Sequence, residues 1–414
     1  MSKTMSSRVK SPITQFRNCR ILYQHAIIRE DLWVRDGKIL NPEWLFFIEK
    51  GHADFQVDCK DCIISPGFID TQINGAFGVD FSSNPESLAK GLATVSKKLL
   101  AHGVTSYCPT VITSSPSMYK KILPQIKRTC GSRTGAGILG IHLEGPFISK
   151  EKNGAHPVEL IKDCTNLNSF EQIEDVYHSL DNVSIVTLAP ESCQISKVIS
   201  KLSNKGVVVS LGHTVANLTM AEDAVRHGAT YITHLFNAML PFHHRDPGLV
   251  GLLTSDEIPT DTTVFYGMIA DGIHTNPAAL RIAYRAHPNG IVLVTDAIAA
   301  MGFPRGTHYL GSVSVDVTDN GAYVTGTQVL SGSIATMDSC IRHFKHATGC
   351  TTVEALEAAT LHPAQLLTIQ HLKGTLDYGT EADFVLLDDD LNVKQTFIAG
   401  EKVWDNEREN NKGN

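Results

Sequence analysis

The sequence contains little that would direct the chain to a membrane or to nucleic acid. No window of its 414 residues approaches the apolar length needed to cross a bilayer, and the N-terminal stretch MSKTMSSRVKSP lacks the apolar core of a signal peptide. The net charge of −7 comes without any cluster of Lys and Arg, which argues against a nucleic-acid partner. We therefore expect a cytoplasmic protein that binds neither membrane nor nucleic acid.

Two further absences narrow the class of protein. The nine cysteines make one C-x-x-C pair, Cys59 and Cys62, and no second pair follows at zinc-ribbon spacing. Ordinary thiols in a reducing compartment are favoured over a cysteine metal or redox site, and the role of this pair stays open. No G-x-G-x-x-G turn follows the first strand-like run of the central region, which argues against an open doubly wound sheet, the main alternative fold.

The middle of the chain instead repeats one unit eight times: an apolar, strand-like run followed by a polar or Gly/Pro-containing loop. The runs end at Gln72, Thr110, Glu144, Leu188, His213, His234, Asp271 and Asp296. Amphipathic helical patterns fill the intervals, for example at 85–103, 221–228 and 276–287. Eight strand–helix repeats predict an α/β fold, a (β/α)₈ TIM barrel.

The regions that flank these repeats contain short strand-like runs, which predict one small β-sandwich domain built from both chain ends. The predicted division is a disordered tail at 1–16, the β-domain at 17–64 plus 366–405, the barrel at 65–365 and a disordered tail at 406–414. Alternating residues at 303–327, with Asn320-Gly321 as a turn, predict hairpins inserted between the eighth strand and its helix.

Ionisable side chains stand at the ends of four of the eight runs. Glu144, His213, His234 and Asp296 end the third, fifth, sixth and eighth runs, and a barrel brings these ends to one mouth. Two imidazoles and one carboxylate are a three-ligand catalytic zinc set with a position left open for water. The remaining carboxylate, Asp296, is then free to accept a proton from that water and pass it to a leaving group.

Several motifs, in this order along the chain, carry a resemblance to a known family. They are GIHLEGPFISKEKNGAHP (140–157), SLGHT (210–214), THLFNAM (233–239), RDPGLVG (245–251), ADGIHT (270–275), LVTDAIAAMG (293–302) and LSGS (330–333). Together they resemble the N-acetylglucosamine-6-phosphate deacetylases, a family of the amidohydrolase superfamily, over nearly the whole chain. The resemblance implies hydrolysis of the N-acetyl group of a phosphosugar in amino-sugar metabolism, by an enzyme that is a homodimer.

The resemblance also implies roles for individual residues. Glu144, His213 and His234 match the family's metal ligands, Asp296 its catalytic acid/base, and His156 a residue that polarises the amide carbonyl. The further positions that match substrate contacts are Ala155, Asn237, Ala238, Arg245, Asp271, His274, Leu330, Ser331 and Gly332. Relatives often have Ala where this chain has Ser331. Relatives supply some contacts at the phosphate end, where Arg245 and His274 lie, across a dimer interface.

Two neutral amides stand at the end of the first run. Many amidohydrolases place His-x-His there for a second or more buried metal, whereas this chain has Gln72 and Asn74. Amides are weak ligands for zinc compared with imidazole and are better suited to hydrogen-bonding a water or a carboxylate near a metal. We therefore expect one divalent ion, with zinc favoured and iron, cobalt, nickel and manganese as alternatives.

Three other functions remain open from the sequence. A cyclic amidase or nucleobase deaminase of the same superfamily would usually keep His-x-His on the first strand. A degenerate barrel acting as a scaffold would usually lose its metal ligands. A sugar-phosphate sensor would bind the ligand without turnover, and only acetate release separates that possibility from the enzyme.

Overall fold

The computed structural model describes residues 11–164, 169–192, 194–310, 313–318, 321–328 and 330–410. Its largest part is a nearly closed barrel of eight parallel strands, each hydrogen-bonded to the next along the chain. The strands are Phe68–Ile73, Val104–Ile112, Ile141–Glu144, Val183–Leu188, Val208–Leu211, Ala229–Ile232, Phe265–Ile269 and Ile291–Val294. Nearly all of their residues are buried, as expected for parallel strands covered on both faces.

Helices follow the strands and cover the outside of the barrel. They are Leu88–Leu99, Pro116–Ile122, Ser169–Tyr177, Ile195–Asn204, Leu218–Arg226, Pro277–Ala286, Met337–Thr348, Thr352–Glu357 and Leu361–Leu366. After the sixth strand the described chain forms the 3₁₀ helix Gly248–Leu253 instead of an α-helix. Local signals set several starts: the Asn217 and Asn276 side chains accept backbone N–H groups of the turns that they precede. The predicted (β/α)₈ barrel is confirmed.

Two further sheets come from the chain ends. One contains Thr14–Arg17, Leu32–Arg35, Lys38–Ile39 and Phe55–Asp58. The other contains Arg20–Tyr23, Ala26–Ile28, Ile63–Pro66, Phe384–Leu387, Val393–Ile398 and Glu401–Asp405, and thus joins both ends of the sequence. The predicted β-domain built from both ends is confirmed as an architecture. The boundary at 64/65 stays a prediction, and the strand Ile63–Pro66 runs across it.

Aromatic packing holds these two sheets face to face. The Phe16 ring, fully buried, makes edge-on contacts with Phe384 and Phe397, whose ring centroids lie 4.9 and 5.2 Å away. Phe384 and Phe397 also stack on each other at 4.7 Å. Edge-to-face pairs of this kind add to the free energy gained from burying the rings. This cluster is the core of the β-domain.

The chain ends differ in part from the predicted disordered tails. The strand Thr14–Arg17 begins inside the range 1–16, because Phe16 anchors it in the core and its backbone pairs with Leu32–Val34 and Phe55–Asp58. A short helix, Asn406–Asn410, lies inside the range 406–414. The predictions for 1–10 and 411–414 lie outside the described residues.

The inserted region after the eighth strand forms a separate antiparallel sheet. Its strands are Gly306–Leu310, Val313–Thr318, Gly321–Val324 and Leu330–Gly332. This sheet precedes the helix Met337–Thr348, where the hairpin pattern places it; Asn320 of the predicted turn lies outside the described residues. In the described part of the chain, no helix is both long enough and apolar enough to cross a membrane.

Phe16→Ala tests whether the aromatic cluster holds the β-domain together. Removing a fully buried ring should lower the free energy of unfolding by about 3–5 kcal/mol, measured by urea denaturation followed by intrinsic fluorescence. Phe55→Ala is the control, because Phe55 is 60% exposed on a strand of the same sheet, and we expect a change within about 0.5 kcal/mol. Equal effects of the two substitutions would contradict this account of the core.

Candidate metal and catalytic site

Three buried side chains from three barrel strands converge at the mouth. Glu144 ends the third strand, and His213 and His234 follow the fifth and sixth strands by two residues. Glu144 Oε1 lies 3.1 Å from His213 Nε2 and 3.0 Å from His234 Nε2, and the two imidazole nitrogens are 3.1 Å apart. The three atoms thus form a nearly equilateral triangle, and among the described residues this is the group of His, Cys, Asp and Glu side chains whose geometry could hold a metal ion.

The donor atoms of this triangle fit a divalent cation. His213 Nδ1 lies 2.7 Å from the Lys152 carbonyl oxygen, so Nδ1 carries the proton and Nε2 presents its lone pair to the triangle. Two imidazole nitrogens and one carboxylate oxygen are the ligand set of many catalytic zinc sites. His234 Nδ1 is buried and has no hydrogen-bond partner in the described structure.

Electrostatics keep the carboxylate of this group ionised. Burial alone would raise the pKa of Glu144, but hydrogen bonds and charge from His213 and His234 outweigh burial and hold it well below its usual range. For His234, burial opposes the charged form, yet its contact with Glu144 raises the pKa to about 9. The carboxylate is therefore in the form that a metal requires, whereas a bound metal would displace the proton that Glu144 favours on His234.

Asp296 lies beside this triangle, and the two amides at the end of the first strand bind it. Asn74 Nδ2 donates to Asp296 Oδ1 at 2.7 Å, and Gln72 Nε2 donates to the same oxygen at 3.2 Å. Gln72 Nε2 also lies 3.2 Å from Glu144 Oε1 and so bridges the two carboxylates. Burial and then the charge of Glu144 raise the pKa of Asp296 to about 6, which suits a group that both accepts and returns a proton.

His156 occupies the other side of the triangle. Its ring is buried, with its centroid 4.5 Å from that of His213, and its Nδ1 lies 2.8 Å from Thr113 Oγ1. The Thr113 amide also donates to Nδ1, at 3.4 Å, so Nδ1 is the acceptor and the ring proton is on Nε2. Burial, followed by the charge of His213, lowers the pKa of His156 to about 3. His156 is thus a neutral imidazole with one N–H to donate.

Other predicted residues lie on the segments that follow the third and sixth barrel strands. Asn237 and Ala238 lie in the turn that follows His234; the Asn237 amide donates to the His234 carbonyl, and the Ala238 carbonyl accepts from Thr214. Ala155, next to His156, is exposed. Arg245 is exposed on the loop after that turn, and its contacts with the described residues do not join it to the triangle.

Two other predicted groups have clear positions. Asp271 is turned into its own loop, where its carboxylate accepts from the amides of Ile273 and His274, both at 2.8 Å, and from His274 Nδ1 at 2.5 Å. Asp271 therefore orients His274.

The strand Leu330–Gly332 of the inserted sheet leads into Ser333. Ser333 forms a β-bridge with Ala297, the residue after Asp296.

Sequence patterns did not indicate every residue that shapes the site. Thr113 lies three residues beyond the predicted end of the second run, and Lys152 acts through its backbone carbonyl, for which any residue type would serve. The only signal for Thr113 in the sequence was its position as a polar residue shortly after a strand-like run.

Cys59 and Cys62 lie in the β-domain, away from this site. Hydrogen bonding to Cys19, with burial, raises the pKa of the Cys59 thiol.

A barrel with this group at its mouth defines a class of metal-dependent hydrolases. The model of the amidohydrolase family matches residues 63–403, and the chain belongs to that family. Among its relatives are the N-acetylglucosamine-6-phosphate deacetylases of Danio rerio and Homo sapiens, each 60% identical to it. The alignments cover 95% of this chain and 97% and 96% of those proteins, respectively. The resemblance seen in the motifs is confirmed.

Solved structures give the same result for the fold. N-acetylglucosamine-6-phosphate deacetylase from Pasteurella multocida superposes with a TM-score of 0.79 at 29% identity, covering 94% of this chain and 99% of that one. A mutant of the Mycobacterium smegmatis deacetylase, in complex with N-acetyl-D-glucosamine-6-phosphate, superposes with a TM-score of 0.77 at 30% identity. The match covers 95% of this chain and 99% of that one.

Glu144→Gln and His213→Ala test the metal site. The first replaces the anionic carboxylate with a neutral amide, which is a weak ligand, and the second removes an imidazole. The purified variants should therefore hold at least about tenfold less metal than the wild type after dialysis, measured by elemental analysis. His371→Ala, which changes an exposed histidine on a loop, is the control and should keep its full metal content. Full metal content in both site variants would show that these residues are not the ligands.

Proposed function

We propose that the protein hydrolyses the N-acetyl group of N-acetylglucosamine 6-phosphate to give glucosamine 6-phosphate and acetate. The observation that carries this proposal is the convergence of Glu144, His213 and His234 beside Asp296, in a chain 60% identical over 95% of its length to deacetylases of that name. The predicted cytoplasmic location remains a prediction.

Glu144 Oε1, His213 Nε2 and His234 Nε2 would hold one divalent ion. Zinc suits two imidazoles and a carboxylate best, and iron, cobalt, nickel or manganese are alternatives. The ion supplies Lewis-acid activation of water and of the amide carbonyl. One ion is expected, because the amide N–H groups of Gln72 and Asn74 are directed at carboxylates.

Asp296 moves the proton in this proposal. Its raised pKa allows it to take a proton from the attacking water and to return it to the amine, which is a poor leaving group unless it is protonated. The hydrogen bonds from Gln72 and Asn74 both use Oδ1, so they fix the carboxylate while Oδ2 remains available for the proton. His156 donates its Nε2–H to the acetyl carbonyl oxygen as negative charge develops there.

The outer residues of the mouth bind the sugar phosphate. Asn237 and Ala238 reach it from the turn after His234, and Ala155 and the strand Leu330–Gly332 line the sugar. His274, oriented by Asp271, and Arg245 bind at the phosphate end; an exposed Arg with a planar five-donor guanidinium is well suited to that role. A homodimer is predicted, in which Arg245 serves either its own site or the site of the partner subunit, and mixed dimers distinguish these two arrangements.

Acetate release tests the proposed function directly. Purified protein is incubated with N-acetylglucosamine 6-phosphate, and acetate is measured with and without a chelator; N-acetylglucosamine without phosphate is the matched control. We expect stoichiometric acetate from the phosphosugar, much less from the control, and loss of turnover with the chelator. Binding of the phosphosugar without acetate release would identify a sensor or a scaffold instead.

Asp296→Asn isolates the proton-transfer step. The amide keeps the shape of the side chain but cannot accept and return a proton, so kcat should fall by about 10²–10⁴-fold while metal content stays full. Asp377→Asn, at an exposed position outside the mouth, should leave kcat unchanged. Near-normal turnover in Asp296→Asn would refute the assignment.

Mixed dimers test whether Arg245 acts across an interface. Heterodimers of an Arg245→Ala subunit and an Asp296→Asn subunit are made by co-expression with two affinity tags. One of their two sites then combines an intact Asp296 with a partner's intact Arg245, so the heterodimer should have about half of the wild-type activity at low substrate. If Arg245 serves its own subunit, the heterodimer cannot exceed half of the activity of the Arg245→Ala homodimer.

A further inference from the structure

The barrel closes between its first and eighth strands by an unusual route. In the described structure, Phe68–Ile73 and Ile291–Val294 do not form a ladder of hydrogen bonds with each other. Their amides bind instead to the segment after the helix Thr352–Glu357: the Ile69 amide donates to the Ala359 carbonyl at 2.9 Å and the Leu293 amide to the Ala358 carbonyl at 2.8 Å. We call the junction between these two strands the seam of the barrel. Near the mouth, other hydrogen-bonding groups must therefore join its two sides.

The Asp70 carboxylate provides them. Its Oδ1 accepts from the backbone amides of Thr295 and Gln72, both at 3.3 Å, and its Oδ2 accepts from the Thr295 hydroxyl at 2.6 Å. Asp70 is fully buried and Thr295 is 1% exposed. Buried polar groups are costly without partners, so this carboxylate and its three donors specify one arrangement of the two strand ends.

This arrangement leads directly into Asp296, the next residue after Thr295. The Asp296 backbone has φ +47°, in the left-handed region that a residue with a Cβ rarely adopts, so its neighbours must enforce it. Its amide donates to the Gln72 carbonyl at 2.8 Å, and on its C-terminal side the Ala297 carbonyl accepts from Asn74 at 2.8 Å. On the N-terminal side of Asp296, the hydrogen bonds between Asp70 and Thr295 fix the backbone.

We propose that Asp70 and Thr295 are positioning residues for catalysis: the Asp70 carboxylate joins the first and eighth strands and, through Thr295, holds the backbone of Asp296 so that its carboxylate stays against Gln72 and Asn74. Neither residue touches the reacting atoms. The inference rests on the proposed function, because it assigns the support of the proton-transferring group. A displacement of about 1 Å at such a group can cost on the order of 10²-fold in rate.

Thr295→Val and Thr295→Ser test this role. Valine has the same shape but no hydroxyl, so we expect kcat to fall by about 10- to 100-fold while KM stays within about threefold and metal content stays full. Serine keeps the hydroxyl bond to Asp70 and should restore most of kcat. Asp70→Asn keeps the acceptor for the two amides and loses the Oδ2 acceptor, so it should show a smaller fall in kcat at unchanged KM.

The control is Thr396→Val. Thr396, on a strand of the β-domain, is also fully buried, and its hydroxyl donates to the Leu100 carbonyl of the barrel at 2.7 Å. We expect a loss of stability comparable to that of Thr295→Val, measured as melting temperature, without the fall in kcat.

Wild-type turnover is measured in the same series. An inactive wild type would refute the proposed function, whereas an active wild type with normal kcat in Thr295→Val would refute the positioning role alone. Equal losses of kcat in Thr295→Val and Thr396→Val, or loss of metal from Thr295→Val, would also overturn it. If Thr295→Val does not fold, kcat of Thr295→Ser and of Asp70→Asn is compared with that of the wild type. A near-normal kcat in Thr295→Ser with a lower kcat in Asp70→Asn would support the positioning role, and a normal kcat in Asp70→Asn would overturn it.

Discussion

The site depends on one contact, in which the Glu144 carboxylate meets the imidazole nitrogens of His213 and His234 at the barrel mouth. The three side chains come from three different strands, and their donor atoms lie within 3.1 Å of one another. Burying three atoms that each present a lone pair costs free energy. Either protons on the imidazoles or a bound metal ion must offset this cost. The depressed pKa of Glu144 and the raised pKa of His234 show how strongly the groups interact.

Two neutral amides lie beside this contact. Where many relatives in the superfamily carry two histidines, Gln72 and Asn74 donate N–H groups to the carboxylates of Glu144 and Asp296. These N–H groups do not bind a metal, but they hold two negative groups near each other. The end of the first strand thus holds the Asp296 carboxylate beside the triangle of Glu144, His213 and His234, and Asp70 joins the same strand to the eighth strand through Thr295.

Much of this arrangement was predictable from the sequence, because parallel strands bring their C-terminal ends together and the polar residues at those ends were visible. Glu144, His213, His234 and Asp296 were identified in this way. Thr113 and the Lys152 carbonyl were not, since Thr113 lies beyond the predicted end of the second run and Lys152 acts through a backbone atom, which leaves no pattern. The strand at Thr14–Arg17 was missed because its pairing partners and its aromatic contacts are distant in sequence. Such contacts become evident only in three dimensions.

The most direct test of the central claim is an anomalous-scattering map from crystals of the metal-loaded protein, recorded at the absorption edge of the metal. We expect one strong peak, about 2.0–2.2 Å from Glu144 Oε1, His213 Nε2 and His234 Nε2. A peak away from these three atoms, or a second peak of equal height at Gln72 and Asn74, would contradict the account.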